Sequence, residues 1–120
     1  MVIRIKRIYE PVIPEHDGYR VLVDRLWPRG LRKDQVALDD WAKDIAPSAT
    51  LRKAFHNEQL DWPAFCSAYR QELDGQRVTL QRLAAQAGDQ TLTLLFSARN
   101  TERNHAIVLR DYLEHLQTVG

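Results

Sequence analysis

Val21-Leu22-Val23-Asp24-Arg25-Leu26-Trp27-Pro28-Arg29-Gly30 is an apolar run that passes directly into charge and ends in a Pro/Gly turn. A run without polar alternation predicts a strand buried on both faces, the kind found inside parallel sheets. The charged residues then stand at the strand's exit. In open α/β sheets ligands bind outside the carboxyl ends of the strands, so Asp24, Arg25, Trp27 and Arg29 occupy the expected place of a binding site.

Outward from this segment, residues 2 to 9 alternate, with Ile3 and Ile5 on one side and Arg4 and Lys6 on the other. That period predicts a half-buried strand near a sheet edge with its polar face solvated. Pro11, Pro14, Asp17 and Gly18 break the pattern and lead into the central strand, Tyr19 to Leu26. Thr91 to Phe96 predicts a third, also central, strand. Residues 31 to 47 are expected to be irregular, with a helical turn over Leu31 to Val36, extended chain over Ala37 to Trp41 and a stop at Ala46-Pro47-Ser48. Ser48 caps a short helix through about His56, and Asp61 caps the next, with Pro63 in its first turn. Trp62, Phe65, Cys66, Tyr69 and Leu73 fall at helical spacing, as do Leu80, Leu83, Ala84 and Ala87, with Gly88 as a stop. A last helix starts near Thr101 to Asn104. Strands separated by helices predict an α/β fold. The expectation is one small domain over residues 1–120, with a mostly parallel three- to four-stranded sheet covered on both faces and flanked by helices.

The balance of 17 basic against 16 acidic side chains, net +1, supplies no global field to gather nucleic acid or a membrane surface. Any anion preference must be local. One cysteine, Cys66, forms no internal disulfide and is no zinc pattern, which fits a reducing cytoplasm. The N-terminus lacks the apolar run of a signal peptide, and no segment approaches ~18 uninterrupted apolar residues.

Two strand exits are rich in polar groups, Asp24 to Arg29 and Ser97-Ala98-Arg99-Asn100 running into His105. On parallel strands both share one edge, where Arg25, Arg29 and Arg99 can converge on a carboxylate or phosphate through paired hydrogen bonds. Asn104 and the start of the last helix add polar groups and a positive dipole end there. His105 is the candidate general acid or base, because histidine exchanges protons near neutral pH. Asp24 is expected to orient it, to act as a base, or simply to pair with Arg25 or Arg99. Trp27 either stacks on a ligand ring or closes a core beside Pro28. His56 at a helix end reads as a cap for carbonyls, and His16 and His115 have no companions at metal-ligand spacing, so no metal site is expected. No Gly-rich phosphate loop, Gly-x-Ser-x-Gly elbow or His-Glu-x-x-His pair is present, and no cofactor is indicated.

The string Arg20 to Gly30, with Leu38-Asp39-Asp40-Trp41, Ala46-Pro47-Ser48, Phe55-His56, Tyr69-Arg70, Glu72-Leu73, Leu94 to Arg99 and Asn104-His105-Ala106, resembles the YeaO-like branch of the domain-of-unknown-function family 488. The resemblance spans about residues 2 to 116. It implies a small cytoplasmic bacterial or archaeal α/β protein and carries no activity with it. A sister branch has Cys-His-Arg where this chain has Asn104-His105-Ala106, so thiol or cysteine-metal chemistry does not carry over.

Three functions follow in order of expectation. The first is an enzyme or sensor for a small phosphate- or nucleotide-type anion, with Arg25, Arg29, Arg99 and Asn104 holding it and His105 or Asp24 moving a proton. The second is a nucleic-acid-binding module with Trp27 stacking on a base, which the near-neutral charge opposes. The third is an interaction protein, with a homodimer as one form, whose signature charges pair internally.

Overall fold

The computed structural model describes residues 1–119. Strands β1 (Ile3–Arg7), β2 (Tyr19–Leu22), β3 (Asp40–Trp41) and β4 (Leu92–Phe96) form one sheet in the order β1-β4-β2-β3, with every neighbouring pair parallel. β4 is buried at every residue, and the apolar run of β2 is fully inside, as unalternated strands require. β2 is shorter than its sequence suggests. The Val23 N–H still donates to Leu95 O at 3.0 Å, and pairing ends there, where Asp24 begins the polar exit.

The helices are α1 (Pro14–Asp17), α2 (Ala49–His56), α3 (Trp62–Asp74), α4 (Arg77–Ala87) and α5 (His105–Val119). Ser48 Oγ accepts from Leu51 N at 3.1 Å and Asp61 Oδ1 from Ala64 N at 2.9 Å, capping α2 and α3 as their sequences predict. Both faces of the sheet are covered, but differently. Leu51, Phe65, Tyr69, Leu73, Leu80, Leu83 and Leu109 from α2 to α5 pack with Val21, Val23, Leu92, Leu94 and Phe96 on one side. On the other, Ile8, Leu22 and Leu95 are covered by Trp27, Leu31, Val36, Leu38 and Trp41. That cover is the β2–β3 connection together with Trp41 of β3. Both indoles are fixed in it, with Trp27 Nε1 donating to Leu31 O and Trp41 Nε1 to Asp24 O, each at 2.7 Å.

The polar side of β1 is not solvated throughout. Lys6 Nζ lies 3.1 Å from both oxygens of Asp17, and Arg20 Nη1 donates to the same carboxylate. Asp17 and Arg20 are only 3% and 4% exposed. Burial alone would raise the Asp17 carboxyl. Hydrogen bonds from Lys6, the Ile13 N–H and Arg20 outweigh it and hold the group below its ordinary value. The following Gly18 has φ +60°, and a Cβ there would stand 2.3 Å from Thr91 O, so only glycine lets the chain enter β2 at this point.

Candidate functional site at the carboxyl edge

The chain leaving β2 runs outward to β3, whereas the chain leaving β4 turns into α5, which packs over β1 and α3. The two exits part between β2 and β4, which is the topological position where α/β sheets open a crevice. Asp24 and Ser97 face each other across it. Asp24 Oδ2 accepts from Ser97 N at 3.1 Å and from Ser97 Oγ at 2.5 Å. His105, the first residue of α5, places Nε2 3.0 Å from Val23 O and 3.1 Å from Asp24 Oδ1. Both neighbours are acceptors, so Nε2 carries a hydrogen. The hydrogen is directed at Val23 O. Asp24 Oδ1, at ion-pair distance yet off the hydrogen-bond geometry, is buried without a hydrogen bond among the described residues. The pair therefore knits the two strand exits together and is mostly shielded, at 16% and 11% side-chain exposure.

Arg25 turns the other way. Its Nε donates to Pro47 O at 3.0 Å and its Nη2 to Ala46 O at 3.3 Å, leaving Nη1 without a hydrogen bond among the described residues. The guanidinium lines a cavity of about 310 Å³ with Asp44, Ile45, Ser48, Tyr69 and Glu72 among its other walls. Glu72 is fixed by Ser48, whose N–H donates to Oε1 at 2.8 Å and whose hydroxyl donates to Oε2 at 2.6 Å. Tyr69 OH donates to Ile45 O at 2.6 Å, and its ring stands edge-on to His105 with centroids 6.4 Å apart. Tyr69 is thus the wall between the cavity and the Asp24–His105 pair. Burial pushes its phenol well above the ordinary value, the Glu72 and Asp24 charges push the same way, and Arg25 opposes them.

The remaining sequence candidates are dispersed along the edge. Arg29 and Arg99 are exposed on the two exit loops, and the Arg29 carbonyl accepts from Tyr9 OH at 2.9 Å. Asn104, expected among the anion ligands, is buried and spends both ends of its amide on structure. Its Oδ1 accepts from Ile107 N at 3.1 Å and its Nδ2 donates to Asn100 O at 2.9 Å, because the first turn of α5 needs a cap. Trp27 packs edge-on against Trp41 at 5.3 Å with Lys33 Nζ 5.6 Å from its centroid, so its place is the loop cover of the sheet. Arg7 carries no sequence signal of its role, yet it donates to Ala98 O at 2.9 Å and to Ser97 O at 3.0 Å and so fixes the β4 exit. Ser48 and Glu72 are separated by 24 residues, and only the packing of α2 on α3 reveals that they meet. Among the described residues no group of three or more His, Cys, Asp or Glu side chains converges to hold a metal ion, and no helix is long and apolar enough to cross a membrane.

A parallel four-stranded sheet with its polar side chains gathered at the carboxyl edge defines a small α/β protein with a candidate ligand cavity beside the strand exits. The chain belongs to the family described as the inactive DUF488-N3 subclade, which it matches over residues 2–119. It is similar to the uncharacterised protein YeaO of Escherichia coli, with 53% identity over 116 residues that cover 97% of this chain and 100% of that one. Uncharacterised proteins of Mycobacterium bovis and Mycobacterium tuberculosis are 40% identical over 111 residues, 92% of this chain and 92% of theirs. No solved structure matches it.

Proposed function

We propose that this is a non-catalytic binding protein, a sensor or carrier in the cytoplasm, that takes the acidic group of a small molecule on Arg25 at the carboxyl edge of the sheet. One observation carries the proposal. Two backbone carbonyls hold the guanidinium at the cavity wall while Nη1 stays unused, and a pre-oriented guanidinium is the group best suited to a carboxylate or phosphate. Arg29 and Arg99, exposed on the loops that leave the same edge, add positive charge for an approaching acid. The binding form is favoured over the catalytic one by the family's description as inactive and by the bonding of Asp24 and His105, which serves the strand exits.

The test is a thermal-shift series with phosphate, nucleotides, phosphorylated sugars and carboxylic acids on the wild type, Arg25→Ala and Arg25→Lys. A ligand at ~100 times its dissociation constant adds about 2.7 kcal/mol, a shift of several degrees in a domain of this size. One chemical class should stabilise the wild type and lose its effect in both variants. Equal shifts in all three proteins, or none in any, would remove Arg25 from the function.

A further inference from the structure

The cavity that Arg25 lines is not a simple anion site. Its charged walls are one guanidinium and two carboxylates, Asp44 and Glu72. A bare anion on Arg25 would lie against net negative charge in partly desolvated surroundings, where unpaired like charges are costly. From this we infer that the ligand is zwitterionic, an acid that also bears an ammonium group, of the amino-acid class. This rests on the reading that the Arg25 cavity is the ligand site and narrows its chemistry.

The bonding state of each wall fits an ammonium beside an acid. Each oxygen of Glu72 accepts a single hydrogen bond from Ser48, and a carboxylate oxygen has room for a second. Those two bonds hold Glu72 in place before any ligand arrives. Asp44 is exposed and makes no hydrogen bond or ion pair among the described residues, so its charge is free for a ligand. Nη1 of Arg25 is the matching free donor for the acid. Between them Ile45, Tyr69 and Leu73 are buried and supply an apolar floor. The volume of about 310 Å³ is on the scale of a site for one small metabolite.

The experiment compares three matched probe sets by thermal shift and by titration calorimetry on the full chain. These are the common α-amino acids, the amines left by removing their carboxyl groups, and the acids left by removing their amino groups, with inorganic phosphate run beside them as a simple anion. Wild type is run beside Asp44→Asn, which sits on an exposed turn and should fold normally, and Arg25→Lys. At least one amino acid should bind the wild type saturably, its amine and its acid each at least tenfold more weakly, and Asp44→Asn should lose at least fivefold. Inorganic phosphate or a plain carboxylic acid binding as well as any amino acid, in an Arg25-dependent way, would overturn the zwitterion and leave the Arg25 site standing. Amino-acid binding unchanged in Asp44→Asn and Arg25→Lys would place it elsewhere and overturn the inference. No binding by any probe, the simple anions included, would overturn both.

Discussion

Replacing Asp17 by asparagine keeps the shape of a buried side chain and removes its charge, leaving Lys6 and Arg20 facing each other inside the protein. The two cations differ in their escape. Lys6 is 13% exposed and also donates to Pro11 O at 2.6 Å, so its ammonium can move toward water. Arg20 is 5% exposed and its Nε is tied to Ala37 O at 2.8 Å, so its guanidinium stays buried. Breaking a buried pair typically costs about 3–5 kcal/mol, and with one cation able to relax the lower end, about 3 kcal/mol, is expected. That is a large part of a total stability of about 5–15 kcal/mol. In urea, with a slope of about 2 kcal/mol per molar, the midpoint should fall by about 1.5 M. The pH dependence supplies an independent check. The folded Asp17 carboxyl lies below its ordinary value, so its stabilisation is complete above the unfolded pKa of ~3.9 and is lost as the pH falls through the folded value. Wild type should therefore lose a share of its stability on acidification that Asp17→Asn does not. A loss under ~1 kcal/mol at neutral pH, or identical acid limbs in the two proteins, would refute the account of this network.

Gly18→Ala should cost about 3 kcal/mol or more, since the new Cβ meets the Thr91 backbone, whereas Gly30→Ala, at φ +78° in open space, should cost only about 1 kcal/mol, both measured by chemical denaturation. Asp24→Ala removes the acceptor for Ser97 N and Oγ and should cost about 2 kcal/mol, with faster hydrogen exchange of the Ser97 amide as the local signature. The raised Tyr69 phenol is neutral in the folded protein, so wild type should lose stability as the pH rises past the unfolded pKa of ~10, and Tyr69→Phe should lose less there while paying about 1 kcal/mol at neutral pH for the bond to Ile45 O.

Periodicity made the long elements legible. β1 alternates, β2 and β4 carry apolar runs between turn signals, α3 to α5 repeat apolar positions at helical spacing, and Ser48 and Asp61 mark where α2 and α3 start. β3 has two residues and α1 has four, too few for any period to show, and both exist because tertiary neighbours complete them. The strand order is a long-range property with no local signal. At the site, the parallel sheet and the place of His105 at a helix start were enough to bring His105 near Asp24, because both statements concern backbone position. Side-chain direction is another matter. Nothing local to Arg25 says that Ala46 and Pro47 will offer it two carbonyls, and nothing near Lys6 says that Asp17 lies beneath it. Charged residues without local partners read as solvated, and the buried ones among them are the residues that sequence patterns conceal.

The strand order also governs when this protein can exist. β1 and β2 do not pair with each other; each pairs with β4, which occupies Leu92–Phe96. A chain emerging from the ribosome therefore holds its first two strands without their common partner until most of the polypeptide has been made, and the Lys6–Asp17 contact waits with them. A sheet closed through such distant pairings is expected to assemble slowly and nearly all at once after synthesis. Truncation before β4 would leave two apolar strands with open edges, the kind of fragment that aggregates or is degraded. For cellular abundance, the last thirty or so residues of this small chain, which carry β4 and the buried face of α5, should thus matter as much as the strands they join.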